Sequence, residues 1–222
     1  MNAIAYDPPY IEQLPTELRF LLGDPGDPNL LLSVWPDQAS KRLSENPESA
    51  ELQFEFACAC LYDSRLYEAK RAFLCGAPSQ SPLGRALPLL GQGKVYNLQG
   101  LFSAADHCLR GAINLLREGE RGPTWAVTVA FYLLNCSDLG VWPEDAKELR
   151  EWLEEARLGG AAEAVRVHSL GRLTLRMGKK REALATLEDY WNGPDVECVP
   201  ALYRAHIARL VGALQTMNGR PL

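Results

Sequence analysis

Three stretches of this chain place the same kinds of residue at the same intervals, and that periodicity constrains the fold more than any other feature. Ala57 is followed by Ser64, Ala69, Phe73 and Gly76; Gly93 by Gly100, Ala105, Leu109 and Ala112; Gly171 by Gly178, Ala183, Leu187 and Tyr190. Small residues hold the first and third sites, and a bulky apolar residue holds the fourth in each stretch. Apolar residues recur at three-to-four spacing on both sides of Ser64-Arg65, Gln99-Gly100 and Gly178-Lys179, which predicts two helices joined by a short turn. A small residue in the middle of the first helix and another early in the second let the two backbones approach, while the bulky residue one turn later fills the groove between them. One such hairpin cannot bury both its faces, so several must stack. The expected fold class is all-α.

The pattern resembles the tetratricopeptide repeat family, whose period is about 34 residues. Ala57, Leu66, Ala69 and Phe73 carry the resemblance in one unit, and Gly93, Tyr96, Gly100, Phe102, Ala105 and Ala112 in the next. Leu170, Gly171, Gly178, Ala183 and Leu187 carry it in a third, and Asn46-Pro47 looks like the family's inter-repeat turn. The resemblance implies an α-solenoid, a right-handed superhelix of stacked antiparallel helical hairpins forming one continuous domain.

The expected order is an irregular N-terminal segment and half-repeat over 1–47, then repeats over 48–79 and 82–118. A degenerate repeat fills 123–158, another repeat spans 161–192, and a closing helix spans 199–217. The N-terminal segment is read as a short helix near 10–22, the turn cluster Gly23-Asp24-Pro25-Gly26-Asp27-Pro28, and a half-repeat at 35–45. The degenerate unit is read as a helix from Pro123, a turn at Asp138-Leu139-Gly140, and a second helix from Pro143 to about Arg157. Val34-Trp35-Pro36-Asp37-x-Ala39 and Val141-Trp142-Pro143-Glu144-x-Ala146 echo one another at a distance close to three periods.

The net charge of -5 offers no general basic footprint for phosphates, so nucleic acid is excluded as an expected partner. The charge is uneven: residues 1–163 hold 14 Lys and Arg against 23 Asp and Glu, whereas 164–222 hold 9 against 5. No signal-like or membrane-spanning run is seen, and the expected location is the cytoplasm, without membrane association. Cys58, Cys60, Cys75, Cys108, Cys136 and Cys198 lie without Cys-x-x-Cys spacing, mostly in apolar surroundings, and are expected to be buried thiols.

Chemical motifs give way to structural readings. Gly91-Gln92-Gly93-Lys94-Val95 lacks the earlier glycine and the following Ser or Thr of a phosphate-binding loop, where Pro88 and Val95 stand. Glu144, Glu148, Glu151 and Glu155 line one helical face beside Lys147 and Arg150, which reads as a solvated face. His107, His168 and His206 each sit alone on a predicted helix, and no nucleophile elbow is present. An enzyme, a metal site and a cofactor are therefore not expected.

A tetratricopeptide-like array implies a concave wall made by the first helix of each unit. The residues expected on it are Phe54, Cys58, Leu61 and Tyr62; Leu90, Lys94, Asn97 and Leu98; Val127, Phe131 and Leu134; and Val165, His168, Arg172 and Arg176. Of these, Phe54, Cys58, Tyr62, Leu90, Lys94, Asn97, Phe131, His168, Arg172 and Arg176 are the candidate peptide-binding residues. The wall would grade from apolar to basic, so the expected ligand is a protein or peptide with apolar anchors and an acidic segment. Family members that grip chaperone C-termini use Lys, Asn and Arg on successive first helices; Phe54 and Cys58, then Leu90 and Lys94, stand here instead. Two alternatives remain open. The N-terminal segment could fold back onto the aromatic part of the groove, or Trp35, Trp125, Trp142, Trp152 and Trp191 could support a homodimer.

Overall fold

In a computed structural model the chain is described over residues 15–25, 30–75, 79–117, 122–142, 144–156, 158, 160–193, 196 and 201–217, with backbone alone at 160–161 and 201–203. Among these residues the regular structure is helical, with no strand. The helices are α1 (Thr16–Leu21), α2 (Trp35–Glu45), α3 (Ala50–Tyr62), α4 (Leu66–Leu74), α5 (Pro82–Leu98), α6 (Phe102–Leu116), α7 (Pro123–Leu139), α8 (Ala146–Glu155), α9 (Gly160–Arg176), α10 (Lys180–Trp191) and α11 (Ala201–Met217). Consecutive helices pack along the chain from α2 to α8 and from α9 to α11, and α9 packs on α7 while Arg166 of α9 donates to the Leu153 carbonyl of α8. Odd-numbered helices also touch their odd-numbered neighbours, from α1 on α3 through to α9 on α11.

The same turn recurs between partners. Ser64, Gly100, Gly140 and Gly178 all adopt positive φ, between 62° and 79°. Immediately after each, the amide of Arg65, Leu101, Val141 or Lys179 donates to the carbonyl five residues earlier, on Cys60, Tyr96, Cys136 or Thr174. This is a Schellman closure, which satisfies a helix's last carbonyls and needs a left-handed residue at its centre. Gly23 ends α1 in the same way, with φ 82° and a bond from the Asp24 amide to the Arg19 carbonyl.

The periodic small residues are sites of close approach. A Cβ on Gly93 would lie 2.8 Å from Leu109 Cγ, and one on Gly171 would lie 2.8 Å from Leu187 Cγ. Within both hairpins, then, the bulky residue sixteen positions on sits directly over the glycine. Gly91 gives way in the same manner to the ring of Phe73, which joins α4 to α5 of the next hairpin. The Gly-Gln-Gly-Lys run is thereby accounted for by packing on two neighbouring helices.

Several expectations need correction. The second helix of the 123–158 unit begins at Ala146, after a turn at 144–145; Pro143 and Arg157 lie outside the described residues. The echoing motifs diverge, since Trp35 is fully buried and Trp142 is 46% exposed, although Ala39 and Ala146 are both buried. Trp35 is held by its Nε1–H donating at 3.0 Å to Glu55, a buried carboxylate that Arg42 also pairs. Trp125 is buried as well, edge-on to Trp152 across α7 and α8. Cys58, Cys60, Cys108 and Cys136 are buried, but Cys75 is exposed; Cys198 lies outside the described residues, as do 10–14 of the predicted first helix and Gly26, Asp27 and Pro28 of the turn cluster. No helix among the described residues is long and apolar enough to cross a membrane.

Candidate functional site: a basic and aromatic cavity on the odd-numbered helices

A cavity of about 790 Å³ opens on the side where the odd-numbered helices line up. Leu61 and Tyr62 of α3, Lys94 and Leu98 of α5, and Phe131 and Leu134 of α7 line it. Val165, His168, Arg172, Leu175 and Arg176 of α9 continue the wall, with Ser64 at the rim. The last side is α11, through His206, Arg209, Leu210 and Ala213. Its volume falls within the roughly 300–1,000 Å³ of cavities that enclose compact ligands.

Six of the ten candidate residues meet here: Tyr62, Lys94, Phe131, His168, Arg172 and Arg176. The other four do not. Phe54, Cys58 and Leu90 are core residues at 2%, 0% and 0% exposure, and Phe54 packs edge-on against Phe73 at 5.5 Å. Phe54, Cys58 and Tyr62 form one i, i+4, i+8 stripe, but α1 lies against α3 and α5, and only the last residue of the stripe reaches the cavity. Asn97 is committed to α7, its side-chain amide donating to Asn135 at 3.0 Å and to Asp138 at 3.4 Å. Val127 is likewise buried.

The N-terminal segment does reach this wall. The hydroxyl of Tyr62 donates to the carbonyl of Leu21 at 2.6 Å, and Lys94 Nζ donates to the same oxygen at 2.9 Å and to Tyr62 Oη at 2.7 Å. A Cβ on Gly23 would lie 2.9 Å from the Tyr62 ring. Lys94 Nζ also sits 4.8 Å from the Tyr62 ring centroid and 4.9 Å from that of Phe131, within cation–π range. Burial among these groups brings Lys94 down to about 7, with the ionised form of Cys58 acting the other way.

At the far end, Asp138 organises the cations. Its carboxylate, 10% exposed, accepts from Arg172 at 2.8 Å and Arg176 at 3.2 Å. These arginines are therefore partly neutralised from α7, a contact their spacing on α9 could not show. Arg209 has no carboxylate partner among the described residues. No Asp or Glu is found among the described residues lining the cavity, so its excess charge is positive.

His168 and His206 stack at 5.7 Å with an interplanar angle of 29°, bringing α9 and α11 together inside the cavity. Burial and the positive charge of Arg172, with His206 adding, lower His168 to about 4. His206 is lowered by burial, then by Lys94, Arg172 and Arg209. On sequence alone the two histidines are solitary, because 38 residues separate them. The contribution of α11 is not legible there either, because its apolar positions mark a closing helix and not what it closes. Among the described residues no three His, Cys, Asp or Glu side chains are grouped to hold a metal ion. The chain matches neither the known family models nor the curated proteins with which it was compared.

Proposed function

We propose that this protein is a tetratricopeptide-like α-solenoid, acting in the cytoplasm as a non-enzymatic binding module that takes a peptide segment of another protein into the cavity. The observation that carries this reading is the cavity's construction. Every odd-numbered helix from α3 to α11 contributes to it, with apolar side chains from α3, α5 and α7 and cations concentrated on α9 and α11. Such a surface offers apolar anchor sites next to a region that favours an acidic segment. The repeated Schellman turns and the glycine-to-leucine contacts support the tetratricopeptide-like assignment. Self-association is the weaker alternative, because Trp35 and Trp125, two of the tryptophans that would carry it, are buried within the chain.

Site-specific photocrosslinking tests the reading. A photoreactive residue at Leu98, exposed and lining the cavity, is expected to capture a partner that the same probe at Glu151, exposed on α8 outside it, does not. Capture from Glu151 alone would move the working surface away from the cavity.

A further inference from the structure

We propose that Lys94 is a reactive amine, and that the cavity admits a small aldehyde bearing an anionic group, which Lys94 captures as an imine. This goes beyond the peptide-binding reading and does not depend on it.

The geometry at Nζ is the first argument. Two of the three ammonium hydrogens have oxygen acceptors, the Leu21 carbonyl at 2.9 Å and Tyr62 Oη at 2.7 Å, and the remaining neighbours are the faces of Tyr62 and Phe131. Loss of the third proton keeps both hydrogen bonds and leaves a lone pair free to react. No carboxylate among the described residues pairs with Lys94 to hold it charged. The titratable groups facing it are Tyr62 and Cys58 from α3 and His206 from α11; α1 supplies a carbonyl and α7 an uncharged ring. Burial lowers the ammonium to about 7, so a large share is free amine at neutral pH. A desolvated lysine in an apolar pocket is the usual form of an imine-forming nucleophile.

The cavity specifies the rest of the ligand. Arg209 is unpaired by carboxylates among the described residues, while Arg172 and Arg176 share the single charge of Asp138. An acid group on the aldehyde would therefore meet uncompensated positive charge.

In the reaction the amine lone pair bonds to the carbonyl carbon as the C=O pair moves onto oxygen. A nitrogen proton then transfers to that oxygen through water in the cavity, giving the carbinolamine, while the Tyr62 hydroxyl stays donated to the Leu21 carbonyl and accepts from Nζ. Departure of its hydroxyl as water, with loss of the second nitrogen proton, forms the C=N bond. No oxidation state changes, and no co-reactant is needed.

The test treats the full chain with glyoxylate and sodium cyanoborohydride at neutral pH and maps the reduced adducts. Lys41, Lys70, Lys147, Lys179 and Lys180 act as internal controls. Lys94 is expected to react about ten-fold faster than exposed Lys147 or Lys179, with a rate half-maximal near pH 7 while theirs keeps rising. Arg209→Ala should lower glyoxylate capture at Lys94 several-fold and leave capture of propionaldehyde unchanged. Modification confined to the other lysines would overturn the proposal outright. Equal capture of both aldehydes, unaffected by Arg209→Ala, would overturn the anionic part. Because the decisive readout comes from the wild-type chain, a Lys94 variant that fails to fold cannot mask either result.

Discussion

Lys94 Nζ donates to the carbonyl oxygen of Leu21 at 2.9 Å, across 73 positions of sequence. That oxygen ends α1, where a helix leaves carbonyls without intrahelical donors. Here two side chains, from α3 and α5, satisfy it together. The contact does two jobs: it fixes the N-terminal helix to the wall, and it desolvates the one lysine on that wall.

Tyr62→Phe is expected to cost about 0.5–1.5 kcal/mol, the net worth of one hydrogen bond, measured by urea unfolding. Hydrogen exchange should quicken at the amides of Leu22 to Asp24. Unchanged exchange there would show that α1 is held without Tyr62.

The lowered Lys94 sets a pH dependence. Between about 7 and its ordinary value of 10.5, the unfolded chain binds more protons at this site than the folded one. Stability is therefore expected to rise with pH over that window as far as Lys94 contributes. Lys94→Met should flatten the slope between pH 7 and 10, read from urea midpoints. An identical slope in the variant would argue that Lys94 keeps its charge when folded.

Gly93→Ala places a methyl 2.8 Å from Leu109 Cγ. Overpacking of this kind is expected to cost about 1–3 kcal/mol. The double variant with Leu109→Ala should show favourable coupling, because it vacates the space the methyl needs. Additive losses would mean that Leu109 is not what excludes the side chain.

Asp138→Asn removes the charge shared by Arg172 and Arg176 and is expected to destabilise the α7–α9 contact by about 1.5–3 kcal/mol. It should also tighten binding of a fluorescent leucine- and glutamate-containing peptide, read by anisotropy. Weaker binding in a variant that remains folded would show that the arginines need Asp138 to be positioned.

Trp35→Phe strips the buried Glu55 carboxylate of a donor at 3.0 Å and leaves Arg42 as its charged partner. The expected loss is about 1.5–3 kcal/mol in denaturant unfolding. A change below 0.5 kcal/mol, on the order of a neutral surface substitution, would place the carboxylate's stabilisation on Arg42 alone.

The local order of this chain was legible because its signals are local. Gly100, Gly140 and Gly178 mark left-handed turns through the backbone freedom they alone supply cheaply, and Ser64 was found at the same site only through the shared interval. Gly93 and Leu109 announce a contact within one hairpin, sixteen residues apart, where two helices and a short turn leave little choice of register. The start of α8 was misplaced because Pro143 looks like a first helical residue, while the chain continues as a turn through 144 and 145.

The sequence by itself determined the helices and their pairing into hairpins, which follow from spacing along the chain, whereas the ten candidate wall residues were only what the tetratricopeptide resemblance implies. Only the tertiary structure decided that Phe54, Cys58 and Leu90 are interior, that His168 meets His206, that Asp138 ties Arg172 and Arg176, and that Leu21 caps Lys94. The reason is physical. Helical periodicity gives the direction of a side chain about its own axis, whereas burial, charge pairing and desolvation depend on which other helix arrives in that direction, and those helices supply partners 34 to 73 residues away.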